Sequence, residues 1–300
     1  MRNLIALDWG TSSFRGYLLD REGRVLEKID AEAGILSIAA REYAEVLREQ
    51  LSRFAGPVTG MPIVASGMIT SRQGWLETPY VACPAGTEAL AAALCPLEVP
   101  GIGTIWLVPG VKQLKPLPDI MRGEETQLAG VEGEGSRIVL LPGTHSKWVT
   151  LEDGLITGFT TFLTGDLYKA VLQQTILRTT PEGVWSEDAF REGVGAGFSR
   201  MQLGQGLLSG LFQVRAKSIL GLSAEDSSRS YLSGMLIGCE IAERVAAGFA
   251  ASRPVLVIGE AHLADMYLLA LKECGLRGEA APANIAARGL FRIARLKNLI

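Results

Sequence analysis

Two short loops rich in glycine, threonine and serine hold the side chains that could do chemistry. The first, at residues 8–13, has the sequence Asp-Trp-Gly-Thr-Ser-Ser and follows an apolar run. The second, at residues 142–147, has the sequence Pro-Gly-Thr-His-Ser-Lys and also follows an apolar run. Turns of this composition leave backbone N–H groups and hydroxyls available to surround an anion. One such loop in each half of the chain indicates a polyphosphate site suited to phosphoryl transfer.

Asp8 ends a predicted buried strand, where a carboxylate is costly to desolvate unless it serves a cation or a hydrogen-bond network. Beside a phosphate loop that cation would be Mg²⁺, which prefers oxygen ligands and keeps several waters. Gly10, Thr11 and Ser12 would then offer N–H and hydroxyl groups to the phosphates. The alternative is an ordinary hairpin turn, because Gly-Thr-Ser-Ser is also common turn chemistry.

The second loop has more reactive side chains. Gly143, Thr144 and Ser146 would bind phosphate, and His145 lies next to them with Lys147. An isolated histidine is structural more often than it binds a ligand, so both roles stay open for His145. Lys147 could balance phosphate charge or could simply be solvated. This loop is not a P-loop, because the chain has no G-x-x-x-x-G-K-[ST] motif.

Two adjacent carboxylates, Glu124 and Glu125, stand at a predicted helix start in the string Met-Arg-Gly-Glu-Glu-Thr-Gln, residues 121–127. Acidic residues near a helix N-terminus complement the helix dipole, so a purely local role also fits. The helix precedes the predicted linker 132–136, where a cleft between two domains would have its floor. A carboxylate there could accept a hydroxyl proton as a sugar attacks a γ-phosphate.

A further set of residues could bind the sugar. A sugar site needs a flat apolar surface and a few hydrogen-bond donors, and a sugar acid adds a need for cationic or N–H donors. Plain packing would explain the same residues. The set comprises Ser66, Gly67, Met68, Arg72, Trp75, Tyr80 and Arg122. Gly259, a generic turn after the apolar run 254–258, is assigned to the nucleotide.

The composition argues against several classes of protein. The 300 residues are 48% hydrophobic and 20% charged, which is typical of a compact globular chain. A net charge of −3 gives no reason to expect a nucleic-acid partner. The four cysteines form no C-x-x-C pair, so we expect neither structural zinc nor disulfides, and a reducing cytoplasm fits. The apolar stretch 231–250 contains three charged residues, so we expect no membrane span.

The order of predicted elements indicates an α/β fold with two domains. Strands are predicted over 4–8, 14–20 and 25–30, and a second three-stranded meander over about 137–161. Each meander is followed by alternating helices and strands, which implies a mixed sheet covered by helices in each half. The Gly-rich linker suggests an N-terminal domain over 1–133 and a C-terminal domain over 134–300. The helices and strands that follow the two meanders are predicted as a helix over 41–54, strands over 62–66, 104–109 and 254–259, and a helix over 286–300.

These motifs resemble those of a known family. The paired loops look like the phosphate-binding hairpins of the superfamily of sugar kinases, acetate kinase, actin and the heat-shock chaperones. Within it, the chain closely resembles the 2-dehydro-3-deoxygalactonokinase family almost end to end. Residues 6–10, 121–127 and 141–148 carry this resemblance. The last two strings are long and specific, whereas the first marks only the superfamily.

The resemblance implies two actin-like (ribonuclease H-like) domains, each a mixed five-stranded sheet flanked by helices, with a cleft between them. It implies ATP- and Mg²⁺-dependent phosphorylation of 2-dehydro-3-deoxy-D-galactonate at the 6-hydroxyl, within galactonate catabolism. The partner would be this small sugar acid, with no nucleic acid and no membrane, and a homodimer stays open. A kinase of the same fold for another sugar or keto-deoxy sugar acid is the alternative. A nucleotide-switched regulatory ATPase is the third reading.

Related sugar kinases have a catalytic Gly-Asp pair shortly before the second loop, and Gly123 and Glu124 hold that place here. The resemblance therefore makes Glu124 or Glu125 the catalytic base. Asp166 follows the second meander and is the next candidate if neither glutamate serves. Asp166 could instead contact Mg²⁺ or the nucleotide.

Overall fold

The computed structural model describes residues 3–38, 42–222, 227–248 and 254–300. The chain forms two compact units. The first unit consists of Met1–Ser136, Val149–Phe159 and Pro282–Ile300, and the second consists of Arg137–Trp148 and Thr160–Ala281. The predicted domain limits at 133 and 134 stay a prediction, and the C-terminal segment belongs to the first unit.

The first unit is built on a six-stranded mixed sheet. The strands of this sheet are β1 (Leu4–Trp9), β2 (Phe14–Leu19), β3 (Val25–Ala31), β4 (Ile63–Ser66), β6 (Cys95–Val99) and β7 (Gly103–Leu107), in the order β3-β2-β1-β4-β7-β6. The central strand β1 runs antiparallel to β2 and parallel to β4. Residues 4–7 are fully buried, because this strand is an almost continuous apolar run. The predicted first meander is confirmed.

The expected five strands are wrong for this sheet, because β6 adds a sixth at the edge. Its residues pair antiparallel with β7, with Pro96 opposite Trp106. Proline cannot donate a ladder hydrogen bond and is tolerated on edge strands.

Smaller elements complete the first unit. A three-stranded sheet of order β5-β8-β9 leads into the helix that begins at Glu124, and the predicted helix after the meander is confirmed over Tyr43–Leu51. These elements are α1 (Tyr43–Leu51), β5 (Val81–Ala82), α2 (Thr87–Ala92), β8 (Val111–Gln113), β9 (Asp119–Met121), α3 (Glu124–Ala129) and α9 (Ile285–Leu296).

The second meander belongs to a second sheet, although its segment Val149–Phe159 is grouped with the first unit. This sheet has five strands, as expected, in the order β12-β11-β10-β13-β14, and β13 is parallel to both of its neighbours. The strands of this sheet and the helices of the second unit are β10 (Ser136–Leu141), β11 (Ser146–Glu152), β12 (Leu155–Phe162), α4 (Thr164–Gln174), α5 (Glu187–Gln202), α6 (Leu207–Ile219), α7 (Ser228–Ala246), β13 (Val255–Val257), α8 (Ala261–Glu273) and β14 (Gly278–Ala280). None of the described helices has the length and apolar character needed to cross a bilayer.

The C-terminal helix α9 supports the short helix α3. A Cβ at Gly289 would lie 1.7 Å from the carbonyl oxygen of Thr126, and a Cβ at Gly130 would lie 2.2 Å from that of Ile285. The two helices therefore touch backbone to backbone. Arg292 Nη1 also donates to the carbonyl oxygen of Ala129 at 2.7 Å. The position of α3, which begins with the paired glutamates, thus depends on α9.

Gly289→Ala should destabilise the protein, because the added methyl group would force α9 away from α3. Overpacking of this kind typically costs about 1–3 kcal/mol. Differential scanning calorimetry should show a lowered melting temperature. Gly56→Ala is the matched control in the same unit, since no atom lies within 4 Å of its would-be Cβ. Equal melting temperatures for the two variants would contradict the role given to this contact.

Candidate active site

The ends of β1 and β4 meet the start of α3 in the first unit. Asp8 and Ser66 are partners in the parallel register of the two strands. Gly67 follows with a φ of 94°, and a Cβ there would lie 2.7 Å from the carbonyl oxygen of Trp9. Gly123 has a φ of 109°, and its Cβ would lie 3.3 Å from Gly67 Cα. Only glycine suits this close approach. It brings one predicted metal ligand and the predicted base helix together.

Asp8 lies close to a cation and to a second acidic group. Its Oδ2 is 3.3 Å from Arg15 Nη1, and its side chain is 14% exposed. Burial raises the pKa of Asp8, Arg15 lowers it, and the negative charge of Glu124 raises it further. The negative charge of Glu124 therefore acts on the carboxyl group of Asp8. A second cation at this point would favour the charged form of Asp8.

Glu124 and Glu125 occupy different environments. Glu124 is partly exposed, and its Oε2 accepts a hydrogen bond from the backbone N–H of Arg122 at 3.0 Å. Glu125 is fully buried, and its Oε2 accepts from the N–H of Gly123 at 2.7 Å. Its Oε1 has no hydrogen-bond partner among the described residues. Burial, together with the charge of Glu124, raises the pKa of Glu125 to about 8.

Arg122 holds the loop after β4 against the start of α3. Its Nη1 donates to the carbonyl oxygen of Thr70 at 2.6 Å and to Thr78 Oγ1 at 2.7 Å. Its Nη2 donates to the carbonyl oxygen of Thr78 at 3.0 Å. The guanidinium carbon also lies 4.3 Å from the centre of the Tyr80 ring. Two predicted substrate residues, Arg122 and Tyr80, therefore contact each other, and their contact with a substrate stays a prediction.

The remaining residues predicted to bind the sugar differ in their burial and in their contacts. Trp75 stacks on Tyr43 with ring centres 5.7 Å apart and meets the edge of Trp9 at 6.5 Å. Trp75 therefore belongs to an aromatic cluster, in agreement with the alternative that this residue serves packing. Met68 is half-buried, and Arg72 is exposed.

The first loop turns its carbonyl groups away from solvent. The carbonyl oxygens of Gly10 and Thr11 accept hydrogen bonds from the N–H groups of Ile35 at 3.0 Å and Leu36 at 3.2 Å. The side chains of Thr11 and Ser12 are exposed. The loop is thus fixed on one side and open on the other, as a ligand-binding turn requires.

The second loop packs against the start of α4 in the second unit. A Cβ at Gly165 would lie 2.6 Å from the carbonyl oxygen of Gly143. The N–H of Asp166 donates to the carbonyl oxygen of Thr144 at 3.1 Å. Asp166 Oδ2 lies 2.7 Å from His145 Nε2, with both side chains about half exposed. Asp166 is therefore a neighbour of the second loop and a partner of His145.

Three other predicted residues lie along the same part of the second unit. Ser146 is fully buried, and Lys147 is only 5% exposed, so Lys147 is not a solvated side chain. Its Nζ donates to the carbonyl oxygen of His145 at 3.4 Å. A Cβ at Gly259 would lie 3.5 Å from Pro142 Cδ, which places this glycine beside the second loop.

A cavity of about 440 Å³ opens next to the second loop, entirely within the second unit. Small-molecule sites are typically about 300–1,000 Å³. Gly143 and Gly165 line it, as do residues of α4, α7 and α8. Trp185 and His262 also line it, and their rings meet edge to face at 6.0 Å. Sequence reasoning missed both aromatic side chains, because neither stands in a motif. A tryptophan in the turn-like segment Pro-Glu-Gly-Val-Trp, residues 181–185, is the one sequence feature that could have indicated a ligand-binding aromatic residue.

Glu125 should make the stability of the protein depend on pH. Its pKa is about 8 in the folded protein, against an ordinary value of 4.5. Between these values the folded state holds a proton that the unfolded state releases, so stability falls as the pH rises through this range. The melting temperature of Glu125→Gln should therefore change less between pH 5 and 8.5 than that of the wild type.

Glu88→Gln is the control for this measurement, because Glu88 is an exposed acid in the first turn of another short helix. Its melting temperature should follow the wild-type dependence on pH. Parallel curves for Glu125→Gln and the wild type would show that Glu125 is ionised in the folded protein.

Comparison with known proteins identifies relatives of this chain. The profile of the 2-keto-3-deoxy-galactonokinase family matches residues 8–293. A protein of Rhizobium meliloti (strain 1021), named as a probable 2-dehydro-3-deoxygalactonokinase, is 38% identical over 97% of this chain and 96% of its own. The 2-dehydro-3-deoxygalactonokinase of Escherichia coli (strain K12) is 33% identical over 79% of each chain.

A crystal structure from Sinorhizobium meliloti that bears the same enzyme name has a closely similar fold. It superposes with a TM-score of 0.87 and 36% sequence identity, over 97% of this chain and 98% of that one. The fold is therefore the α/β, actin-like fold expected from the sequence. The match over nearly the whole sequence shows that the chain belongs to the 2-keto-3-deoxy-galactonokinase family.

Proposed function

We propose that this protein transfers the γ-phosphoryl group of ATP to the 6-hydroxyl of 2-dehydro-3-deoxy-D-galactonate. Its family makes it a phosphotransferase with an alcohol group as acceptor. The observation that carries the proposal is the partly exposed carboxylate of Glu124 beside Asp8, at the ends of two parallel strands. The names of the curated relatives supply the identity of the acceptor.

Glu124 is the better candidate for the base. It is partly exposed, whereas Glu125 is fully buried. With a pKa of about 8, Glu125 is mostly protonated at neutral pH and is poorly suited to accept a proton. Glu124 would hydrogen-bond the 6-hydroxyl, orient its oxygen towards the γ-phosphorus and take its proton during transfer. Glu125 would support the helix start through Gly123.

Mg²⁺ fits the acidic end of β1. Among the described residues no group of three or more histidine, cysteine or acidic side chains could hold a metal. Mg²⁺ in kinases is usually held by only one or two carboxylates together with phosphates and water. Asp8, whose pKa is raised by burial and by Glu124, would be its protein ligand. The ion would supply positive charge to the β- and γ-phosphates.

The cavity of the second unit would receive the nucleotide. Gly143 of the second loop and Gly165 line one part of it, and residues 143–147 would contact phosphate. Trp185 and His262 offer the flat surfaces on which a purine ring could stack. The predicted roles of Gly10, Thr11 and Ser12 on the other phosphates are retained.

Arg72 would recognise the carboxylate of the sugar acid. It is an exposed cation, and it lies in the loop that Arg122 fixes against α3. Ser66, Gly67 and Met68 stand at the start of this loop. A homodimer stays open, and the cytoplasmic location stays a prediction.

Glu124→Gln should lower kcat by about 10²–10⁴-fold with little change in KM for ATP, because the typical contribution of a general base is lost. Glu125→Gln should reduce kcat much less. Both rates are measured by coupled detection of ADP. If Glu125→Gln is the inactive variant, the roles of the two residues are reversed. If neither variant loses more than a few-fold, the base lies elsewhere, and Asp166 is the next residue to change.

A substrate panel tests the proposed reaction directly. ADP release is followed with 2-dehydro-3-deoxy-D-galactonate, its C4 epimer, other keto-deoxy sugar acids and neutral hexoses. The highest kcat/KM is expected for the named acid, and Arg72→Ala should raise its KM without affecting KM for ATP. A clear preference for a neutral hexose would reject the sugar-acid assignment. ATP hydrolysis that no acceptor stimulates would favour the regulatory ATPase.

A further inference from the structure

A second buried carboxylate, that of Glu240, lies at the centre of the second unit. This side chain is 3% exposed. Its Oε1 accepts a hydrogen bond from Trp148 Nε1 at 2.8 Å, and its Oε2 accepts from the Tyr267 hydroxyl at 2.8 Å. The hydroxyl of Thr164 also donates to Oε2. Burial raises the pKa of Glu240, and these donors partly offset the effect. Glu240 is therefore hydrogen-bonded on both oxygens.

Two of the partners of Glu240 come from helices that line the cavity, and Glu240 itself lies on a third such helix. Thr164 begins α4, Tyr267 belongs to α8, and both line the cavity themselves. Glu240 lies on α7, one turn beyond Leu236 and Ile237, which also line it. Its remaining partner, on β11, directly follows the second loop. One carboxylate thus ties three helices and one strand around a single cavity.

The hydrogen bond to Thr164 continues directly into the second loop. Thr164 is followed by Gly165, whose backbone packs against Gly143, and by Asp166, whose N–H donates to the carbonyl oxygen of Thr144. A shift of the start of α4 would therefore move both of these contacts. Glu240 is therefore connected through α4 to the loop that is proposed to bind phosphate.

Packing alone does not require a carboxylate at position 240. A carboxylate is costly to bury, and apolar residues of similar volume often replace buried ionic groups without loss of stability. The neighbouring buried positions of α7, such as Leu236, Ile237 and Ile241, are apolar. The acceptor oxygens of Glu240 instead fix the rotation of three donors, which an apolar side chain would not do.

We propose that Glu240 is a positioning residue that aligns the second phosphate loop and the cavity for the nucleotide. This inference rests on the proposed function, because it requires that the cavity binds ATP. Glu240 itself acts through Thr164, Tyr267 and Trp148. Its loss should therefore weaken nucleotide binding and leave recognition of the sugar acid unchanged.

Glu240→Gln tests this proposal, with Glu243→Gln as the matched control. Glu243 lies one turn further along the same helix and is exposed. The dissociation constant of Mg-ADP is measured by calorimetry, and KM is measured for ATP and for the sugar acid. For Glu240→Gln we expect Mg-ADP binding weaker by about tenfold, the size of one charge-assisted hydrogen bond. KM for ATP should rise in parallel, while KM for the sugar acid and all constants of Glu243→Gln should match the wild type.

A merely structural Glu240 would give a different pattern. The melting temperature and the active fraction of Glu240→Gln would fall, but the folded protein would bind Mg-ADP as tightly as the wild type, and the proposal would be overturned. If this variant does not fold, Thr164→Val removes one donor without burying a charge and should weaken Mg-ADP binding to a similar extent. Unchanged binding by Thr164→Val would overturn the proposal equally.

The same measurements separate this inference from the proposed function. If the wild type binds no Mg-ADP, or if Trp185→Ala leaves binding unchanged, the nucleotide site itself is misplaced and both proposals fail. If the wild type binds Mg-ADP and phosphorylates the sugar acid while Glu240→Gln binds normally, only the positioning role fails.

Discussion

The candidate site of the first unit depends on close contact between the backbones of three elements. Gly67 leaves room for the carbonyl group of Trp9, and Gly123 leaves room for Gly67. With any side chain at Gly67, the end of β4 would be forced away from β1. The charge of Glu124 raises the pKa of Asp8, and these close backbone contacts bring the start of α3 to the ends of β1 and β4. Because Gly67 and Gly123 have no side chains, negative charge is concentrated at the ends of β1 and β4, where it suits a cation and proton acceptance.

Among the described residues, two buried glutamates offset the cost of burying a carboxylate in different ways. Glu125 leaves Oε1 without a partner among the described residues and keeps its proton up to about pH 8. Glu240 instead receives donors on both oxygens. The first adapts its protonation state to its surroundings, whereas the second recruits neighbouring side chains. Burial alone therefore does not determine what a carboxylate does, and its donors must be counted.

The sequence predicted the parts of the fold that depend on local pattern. Both meanders follow alternating apolar runs separated by turns, and the two Gly-rich loops stand where their composition placed them. The edge strand β6 was missed because Pro96 is uncommon inside strands, and its pairing with β7 depends on tertiary context. The mixed α/β class was correct, and the strand count was correct for one sheet.

The site was less predictable, because its contacts join residues far apart in the chain. No spacing rule connects Arg122 with Thr70 and Thr78, or Trp185 with His262. The difference between Glu124 and Glu125 was also hidden, because adjacent helical residues point about 100° apart and the sequence does not say which one faces inwards. Glu240 was recognised only as a charge that interrupts an apolar helix. Its function as an acceptor requires knowledge of three distant donors.

The contact between α3 and α9 joins two segments that are synthesised far apart in time. Residues 124–129 leave the ribosome more than 150 positions before Ile285–Leu296. Domains generally begin to fold in N-terminal order as they emerge. The first unit can pair its strands early, but α3 meets its supporting helix only after more than 150 further residues have been synthesised. A nascent chain would thus hold its paired glutamates on an unsupported α3 until α9 docks.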